Sequence, residues 1–172
     1  VLFRSLIGLD QLKTLSEISV LPTNPKYDSR EECNAVIETS TNILEKGCST
    51  TIIPNNVVGI GSLAFKDCQG LVNITIPDSV TSIGSSAFEC CSNLVSVIFS
   101  KNITYIQARA FHSCRKLSDI DLSTSLSLST IWEEAFGSCS GITSIKLPDS
   151  LTNIKYEVFR GCKSLTSIVL PN

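Results

Sequence analysis

The chain has 172 residues, of which 42% are apolar and 17% are charged, and its formal net charge is −2. This slight negative charge argues against nucleic acid as a partner, because proteins that bind phosphates present a basic surface. No apolar run approaches the length of about 20 residues that a membrane-spanning helix needs, so the sequence predicts no membrane insertion.

The first residues, VLFRSLIGLDQL, lack the basic start, apolar run and small-residue cleavage site of a signal peptide. The chain contains no methionine, even at position 1. We therefore expect a mature or excised fragment, which leaves room for a leader that has been lost.

Residues 1–53 are predicted to form irregular N-terminal repeats. The stretch LKTLSEISV predicts a strand with apolar residues at Leu15, Ile18 and Val20. A longer unit follows it, with two apolar pieces, AVI and NIL, on either side of ETST. This arrangement predicts a short β-hairpin inserted into the repeats.

Two interpretations of the inserted segment remain open. In the first it is a structural variant of the repeat. In the second the hairpin protrudes from the body of the protein and contacts a partner. The residues that would make this contact are Tyr27, Asp28, Arg30, Glu31 and Glu32.

Residues 54–172 carry five copies of one pattern. A phenylalanine recurs at intervals of 23, 23, 25 and 23 residues, and a cysteine follows each one three positions later. Repetition at a fixed period of this length predicts a solenoid. The phenylalanines are Phe65, Phe88, Phe111, Phe136 and Phe159, and the cysteines are Cys68, Cys91, Cys114, Cys139 and Cys162.

Each copy contains an alternating segment: LVNITIP, LVSVIFS, LSDIDLS, ITSIKLP or LTSIVLP. Apolar residues two apart predict a strand with one buried face. One such unit cannot bury its own apolar face, so the copies must stack. The predicted fold is a leucine-rich-repeat solenoid, with a parallel β-sheet on one face and short turns, 3-10 or helical turns on the other.

The pattern L-x-x-I-x-L-P-x-S-L-T-x-I-x-x-x-A-F-x-x-C resembles the BspA-like leucine-rich repeats of bacterial and protist surface proteins. The resemblance covers Pro54 to Asn172, and the third copy departs from it most, with Ser123 in the proline position. It implies a secreted or cell-surface protein that adheres to host or neighbouring-cell proteins.

The eight cysteines allow several kinds of chemistry. Disulfide frameworks use irregular spacings, zinc prefers C-x-x-C pairs, and a catalytic cysteine needs a histidine base. The five cysteines in register fit none of these patterns, so packing as small apolar residues is favoured. Cys33 and Cys48 are the pair best placed for a disulfide. Cys90 is expected to face outward as a free thiol, and His112 is expected on an outer turn.

Other candidates for chemistry are sparse. Asp119 and Asp121 lie two apart on a strand and share its outward face, where solvated acids are favoured over an acid–base pair. Trp132 stands where Gly61 and Gly84 stand in other copies, and it is either a partner-facing aromatic or a local packing adaptation. No glycine-rich phosphate loop occurs, and we predict no catalytic residue, no metal and no cofactor.

The outward strand positions form the predicted binding surface, since a solenoid offers an extended face rather than a pocket. We expect a non-enzymatic module that binds a host-matrix or cell-surface protein, or a glycan. The alternative is a structural spacer that holds another domain away from a surface. The outward positions are Asn73, Thr75, Ser96, Ile98, Asp119, Asp121, Ser144, Lys146, Ser167 and Val169.

The sequence given stops at LPN, at the end of a predicted strand and without a polar closing unit. An open last layer would expose the apolar edge that a capping repeat covers. We therefore expect either that the natural protein continues or that this end self-associates.

Overall fold

The structure of the protein, a computed structural model, describes residues 13–170. The opening VLFRSLIGLDQL and residues 171–172 of the final LPN lie outside this range, as do the expectations placed on them. Within the range the chain folds into stacked layers of short strands, and the one helical element is a 3-10 turn over Arg30–Glu32.

The strands follow one another along the chain, and most of them span only two or three residues. They are β1 (Tyr27–Asp28), β2 (Ala35–Glu38), β3 (Ile43–Gly47), β4 (Gly59–Ile60), β5 (Asn73–Thr75), β6 (Ser82–Ile83), β7 (Ser96–Ile98), β8 (Tyr105–Ile106), β9 (Asp119–Asp121), β10 (Thr130–Ile131), β11 (Ser144–Lys146), β12 (Asn153–Ile154) and β13 (Ser167–Val169).

The repeats build two columns of parallel strands. The first column contains β5, β7, β9, β11 and β13, which are the alternating segments and are strands as predicted. The second contains β4, β6, β8, β10 and β12, formed by the shorter apolar pair of each repeat. Equivalent residues pair across the layers, so that Ile83 stands beside Ile60 on one side and Ile106 on the other.

The first column is not one continuous sheet. Strands β5 and β7 pair with each other, and β9, β11 and β13 form a separate three-stranded sheet. Phe99 lies at this break, in the slot that holds Ile76 and Leu122 in the neighbouring layers. Its ring packs edge-on against Phe111, with the centroids 5.6 Å apart. The larger side chain gives a physical reason for the interrupted pairing.

The predicted hairpin forms, but it does not protrude. Strand β2 pairs antiparallel with both β1 and β3, and β3 then pairs parallel with β4, so these three strands extend the second column into an eight-stranded sheet. Tyr27 is only 7% exposed, and Arg30 is held by Asp28 through two hydrogen bonds of 2.8 and 2.6 Å. The protruding hairpin is therefore a wrong prediction, whereas Glu31 and Glu32 are exposed and their contact with a partner stays a prediction.

The strand predicted in LKTLSEISV is also wrong. Residues 15–20 belong to no strand, although Leu15, Ile18 and Val20 are partly buried as their spacing suggested. The carbonyls of Lys13, Leu15 and Ser16 accept hydrogen bonds from Gln69, Ser49 and Thr50. These bonds come from two different layers and partly from side chains, so they do not form the regular backbone ladder of a paired strand.

One phenylalanine per layer fills the centre of the core. The rings of Phe65, Phe88 and Phe111 are fully buried and stack in succession, with centroids 4.9 Å apart. The stack continues to Phe136 at 5.3 Å and to Phe159 at 6.0 Å. Offset stacking of this kind adds to the free energy of burial, so the repeated phenylalanine ties each layer to the next.

The turn around each phenylalanine forms a third ladder of hydrogen bonds without being a strand. In the second copy the N–H groups of Ser86, Phe88 and Cys90 donate to carbonyls one repeat ahead, over 2.7–3.0 Å. Each such turn holds two residues of positive φ, two positions before and two positions after its phenylalanine. They are Leu63, Asp67, Ser86, Cys90, Arg109, Ser113, Glu134, Ser138, Glu157 and Gly161.

These left-handed positions predict opposite effects for two substitutions at equivalent places. A left-handed backbone costs an ordinary residue roughly 1–2 kcal/mol, and glycine avoids this cost at an entropic penalty of about 0.5–1 kcal/mol. We expect Ser138→Gly (φ 59°) to stabilise the fold by about 0.5–1 kcal/mol and Gly161→Ala (φ 77°) to destabilise it by about 1 kcal/mol. Urea unfolding monitored by circular dichroism measures both changes, and shifts of the same sign would contradict the assignment.

Candidate functional site

The outward side of the first column is the candidate site, and we call it the strand face. In β5, β7, β9 and β11 the middle residue is buried and its two neighbours point outward, so alternation alone places the side chains. Nine of the ten residues predicted for this surface are exposed, and Ser144 is partly exposed. Their placement is as predicted.

Strand β13 differs from the others because all three of its residues are exposed. Its middle residue, Ile168, is 40% exposed, whereas the equivalent Ile145 is 1% exposed. Strand β13 pairs with β11 alone among the described residues, so no further layer covers its inward side chain.

Strands β9 and β11 form a polar part of the strand face, and their side chains bond from layer to layer, whereas Val169 of β13 is 62% exposed. Asp119 accepts hydrogen bonds from Ser144 (2.6 Å) and Thr143 (3.1 Å), which lower the pKa of its carboxyl. Ser123 and Lys146, whose Nζ is 3.0 Å from the carboxylate, lower the pKa of Asp121. General acid–base catalysis needs a pKa near the working pH, so these carboxylates suit a polar contact surface better than catalysis.

The N-terminal half of the strand face is uncharged, and large aliphatic side chains stand there beside the small polar Asn73, Thr75 and Ser96. Ile52, Val72 and Ile98 are 76%, 47% and 63% exposed, and Val95 is 38% exposed. Of these, sequence reasoning identified only Ile98. Val72 and Val95 stand just before their strands, outside the alternating pattern. A comparison of the repeats could have identified Val72 and Val95 as outward residues. The later repeats carry the polar Ser118, Thr143 and Thr166 at this position, as expected for a position that faces solvent.

A crevice opens in the N-terminal half, between residues 51–55 and β5. It has a volume of about 300 Å³, at the lower end of the range for ligand pockets. Thr51 stands where the other layers carry an inward apolar residue such as Ile74, and its hydroxyl donates to the carbonyl of Asn34 (2.6 Å) and accepts from the N–H of Cys48 (2.8 Å). These bonds tie the segment to the hairpin rather than to β5.

A network of ion pairs lies on the turn side of the solenoid. The carboxylate of Glu89, whose side chain is 8% exposed, pairs with Lys66 (3.0 Å) and Arg109. Arg109 and the Nε2 of His112 also approach Glu134, at 3.4 and 3.3 Å. Burial alone would raise the pKa of Glu89, but hydrogen bonds from Arg109 and Lys66 outweigh it and bring the pKa to about 2. The network links neighbouring repeats.

His112 provides no base for a cysteine. Its Nε2 faces Glu134, and its Nδ1 lies 3.0 Å from the hydroxyl of Ser113. Burial and the nearby Arg109 lower its pKa. The thiol of Cys114 points the other way and donates to the carbonyl of Phe88 (3.1 Å), so no Cys–His pair exists here.

The cysteines in register are packing residues, as predicted, and they also make a hydrogen bond that the sequence did not reveal. The thiols of Cys91, Cys114 and Cys139 are fully buried and donate to the carbonyl of the phenylalanine one repeat earlier, over 2.9–3.1 Å. Burial raises the pKa of Cys91 and Cys114 well above the ordinary range, so these thiols stay protonated and unreactive.

The three cysteines outside this register are also free thiols. Cys33 and Cys48, considered above as a disulfide pair, are both buried, and their Sγ atoms lie near the backbone oxygens of Ala35 and Asn34. Cys90 is partly exposed, as expected for an outward thiol, and burial together with the charges of Asp67 and Glu89 raises its pKa.

Trp132 is 38% exposed, and the Lys155 ammonium lies 5.6 Å from the centroid of its ring. A cation above an indole face stabilises the contact, which favours the local-packing interpretation of this residue.

Among residues 13–170, no helix has the length and apolar character needed to span a membrane. In the same range, no three His, Cys, Asp or Glu side chains are grouped to hold a metal ion.

The repeats match a known family. The model of the BspA type leucine rich repeat region matches residues 44–166 in six copies. No curated protein matches the chain at a significant level.

Several solved structures share the fold. A leucine-rich cell surface protein of Faecalibacterium prausnitzii is 31% identical to this chain, with a TM-score of 0.78. The match covers 91% of this chain and 42% of the Faecalibacterium protein. A leucine-rich repeat protein of Bacteroides ovatus is 30% identical, with a TM-score of 0.69, and the match covers 91% of this chain and 40% of the Bacteroides protein. The T. pallidum leucine-rich repeat protein is 28% identical, with a TM-score of 0.72, and the match covers 78% of this chain and 67% of the T. pallidum protein. The chain thus spans less than half the length of the first two.

The ion-pair network predicts a loss of stability in acid. Because the pKa of Glu89 falls from 4.5 to about 2 on folding, its contribution is fully present above pH 4.5 and is lost as the pH falls toward 2. A shift of this size corresponds to about 3 kcal/mol, so we expect Glu89→Gln to lower the free energy of unfolding by about 2–3 kcal/mol at pH 7. The difference from the unsubstituted protein should shrink toward pH 2. Urea unfolding at both pH values measures it, with the exposed Asp149→Asn as the control.

The burial of the thiols predicts their reactivity. In native protein at pH 8 we expect Ellman's reagent to modify at most Cys90 and Cys162, since both are partly exposed. Unfolding in guanidinium under non-reducing conditions should release all eight thiols. A count of six after unfolding would instead indicate a disulfide, and rapid reaction of the native buried thiols would contradict the packing shown here.

Proposed function

The chain belongs to the BspA type leucine rich repeat family, and from this premise we propose that it is a non-enzymatic protein-binding module of a secreted or cell-surface protein. Its binding surface is the strand face. The role that we infer is adhesion to a protein of the host matrix or of a neighbouring cell.

The observation that carries this proposal is the division of the strand face into two halves. The first layers expose the aliphatic side chains of Ile52, Val72, Val95 and Ile98, and β9 and β11 expose a ladder of carboxylates, hydroxyls and one lysine, with the aliphatic Val169 in the last described layer. An exposed apolar patch beside a polar rim is typical of protein-binding surfaces, where burial supplies affinity and polar groups supply specificity.

A glycan is supported less well than a protein. Sugar and protein partners alike would use the hydroxyl and amide groups of Asn73, Thr75 and Ser96, but the strand face of the described layers carries no aromatic side chain. Exposed aliphatic residues favour a partner with apolar side chains of its own.

The alternative function is a structural spacer that holds another domain away from a surface. A spacer needs the buried ladders of the core but has no use for exposed aliphatic residues on one side. Ile98, at 63% exposed, would then be a cost to solubility without a benefit.

Binding to a panel of purified extracellular-matrix proteins, measured by surface plasmon resonance, tests the proposal. We expect Ile98→Glu to weaken binding at least tenfold, because it places an unpaired charge in the uncharged N-terminal half of the face. The double variant Asp121→Ala, Lys146→Ala removes the polar contact and should weaken binding as well.

The matched control is Leu126→Glu, which changes a residue that is similarly exposed (73%, against 63% for Ile98) but lies on the loop between β9 and β10. Equal binding by all the folded variants would refute the strand face as the binding surface. An absence of binding to every member of the panel, by a folded protein, would favour the spacer.

A further inference from the structure

The first column of strands has an unpaired edge at β5. In the later layers the N–H that precedes each strand donates to the carbonyl one repeat earlier, from Val95 to Val72 (2.8 Å) and from Thr143 to Ser118 (2.8 Å). The N–H of Val72 finds no acceptor among residues 13–170. Strand β5 itself pairs only with β7 in that range. We call this side of β5 its free edge.

The segment that should pair with the free edge is held elsewhere. Ser49 occupies the position equivalent to Val72, and its N–H donates one layer back to the carbonyl of Leu15 (3.2 Å), but its carbonyl accepts no hydrogen bond from Val72. The N–H of Ile52 donates instead to the carbonyl of Cys33 (3.1 Å), beside the hairpin. Thr51 bonds to Asn34 of the hairpin. Residues 51–55 therefore line the far wall of the crevice instead of completing the sheet.

The walls of the crevice are uncharged. One side presents Ile52 and Asn55, and the other presents Asn73, Thr75 and Pro77. The Oδ1 of Asn73 accepts from the hydroxyl of Ser96 (2.7 Å), so its amide nitrogen is the group left to meet a ligand. A charged side chain entering here would lose water without gaining a partner, which disfavours charged ligands.

We propose that the crevice takes an extended, uncharged segment of a partner protein, which adds to the free edge of β5 as an extra strand. Main-chain groups of the segment pair with those of β5, including the N–H of Val72, and its alternate side chains enter the crevice beside Ile52. This inference deepens the proposed function and rests on it, because it names the part of the strand face that is occupied and the chemistry of the occupant.

The second interruption of the column, between β7 and β9, is a poorer candidate. The N–H of Ser118 still donates across it to the carbonyl of Val95 (3.3 Å). Its far side carries the charged Asp119 and Asp121. The free edge of β5 differs from it in having both an unused donor and a space beside it.

A synthetic peptide of alternating threonine and valine, acetylated and amidated at its ends, is the probe for this inference. Titration into the isotope-labelled protein, followed by ¹⁵N–¹H spectra, should shift the amide signals of Val72 and Asn73–Thr75 first. Amide hydrogen exchange at Val72 should slow at least tenfold at saturation, because its N–H then has an acceptor. The same peptide with its alternate amides N-methylated should not bind, since it keeps the side chains but cannot pair as a strand.

Ile52→Asp places a charge in the crevice at a position that is 76% exposed, so the fold should tolerate it. We expect this variant to weaken peptide binding at least tenfold, and Leu126→Asp, at an equally exposed site, to leave it unchanged. Equal binding of the N-methylated peptide, shifts confined to other regions, unchanged binding by Ile52→Asp, or no binding at all would each overturn the inference.

These outcomes separate the inference from the proposed function. Matrix-protein binding that depends on Ile98 but not on Ile52 would overturn strand addition and leave the strand face as the binding surface. Matrix-protein binding that depends on neither Ile98 nor Ile52 would overturn both strand addition and the strand face as the binding surface.

Discussion

In-register stacking of one layer on the next is the constraint on which the rest of this structure depends. A single repeat leaves its phenylalanine ring half covered and its backbone N–H and C=O groups unpaired, and a neighbour on each side removes both costs. The stacked rings of Phe65, Phe88 and Phe111 and the thiol of Cys114 on the carbonyl of Phe88 are both products of this arrangement. The side chains recur because each layer must present the same shape and the same bond to the next.

The same constraint explains features that would be unfavourable in an isolated segment. Ser86 and Cys90 adopt left-handed backbone conformations, and in this geometry the N–H groups of the turn donate to carbonyls of the following layer. Glu89 is almost buried, yet it stays ionised because cations from neighbouring repeats surround it. In both cases an interaction between layers offsets a local cost, so neither feature could persist in one repeat alone.

Function is left to the positions that stacking does not use. Outward residues such as Ile98 and Asp121 can vary without disturbing the core, which is why the strand face differs in character from one end to the other. The crevice has a different origin. It exists because Thr51 bonds to the hairpin and leaves β5 without its neighbour, so an interruption of the stacking itself opens a space at the surface.

The period of the sequence was enough to predict the solenoid, the strands of the first column and the outward direction of residues such as Asn73 and Lys146, because alternation and repetition are local properties of the chain. The sequence also indicated that the cysteines in register pack inside. Only the tertiary structure decided that the hairpin joins the second column of strands, that LKTLSEISV forms no strand and that the edge of β5 is free. Each of these depends on which distant segment supplies a hydrogen-bond partner, and pairing over such separations leaves no periodic trace in the sequence.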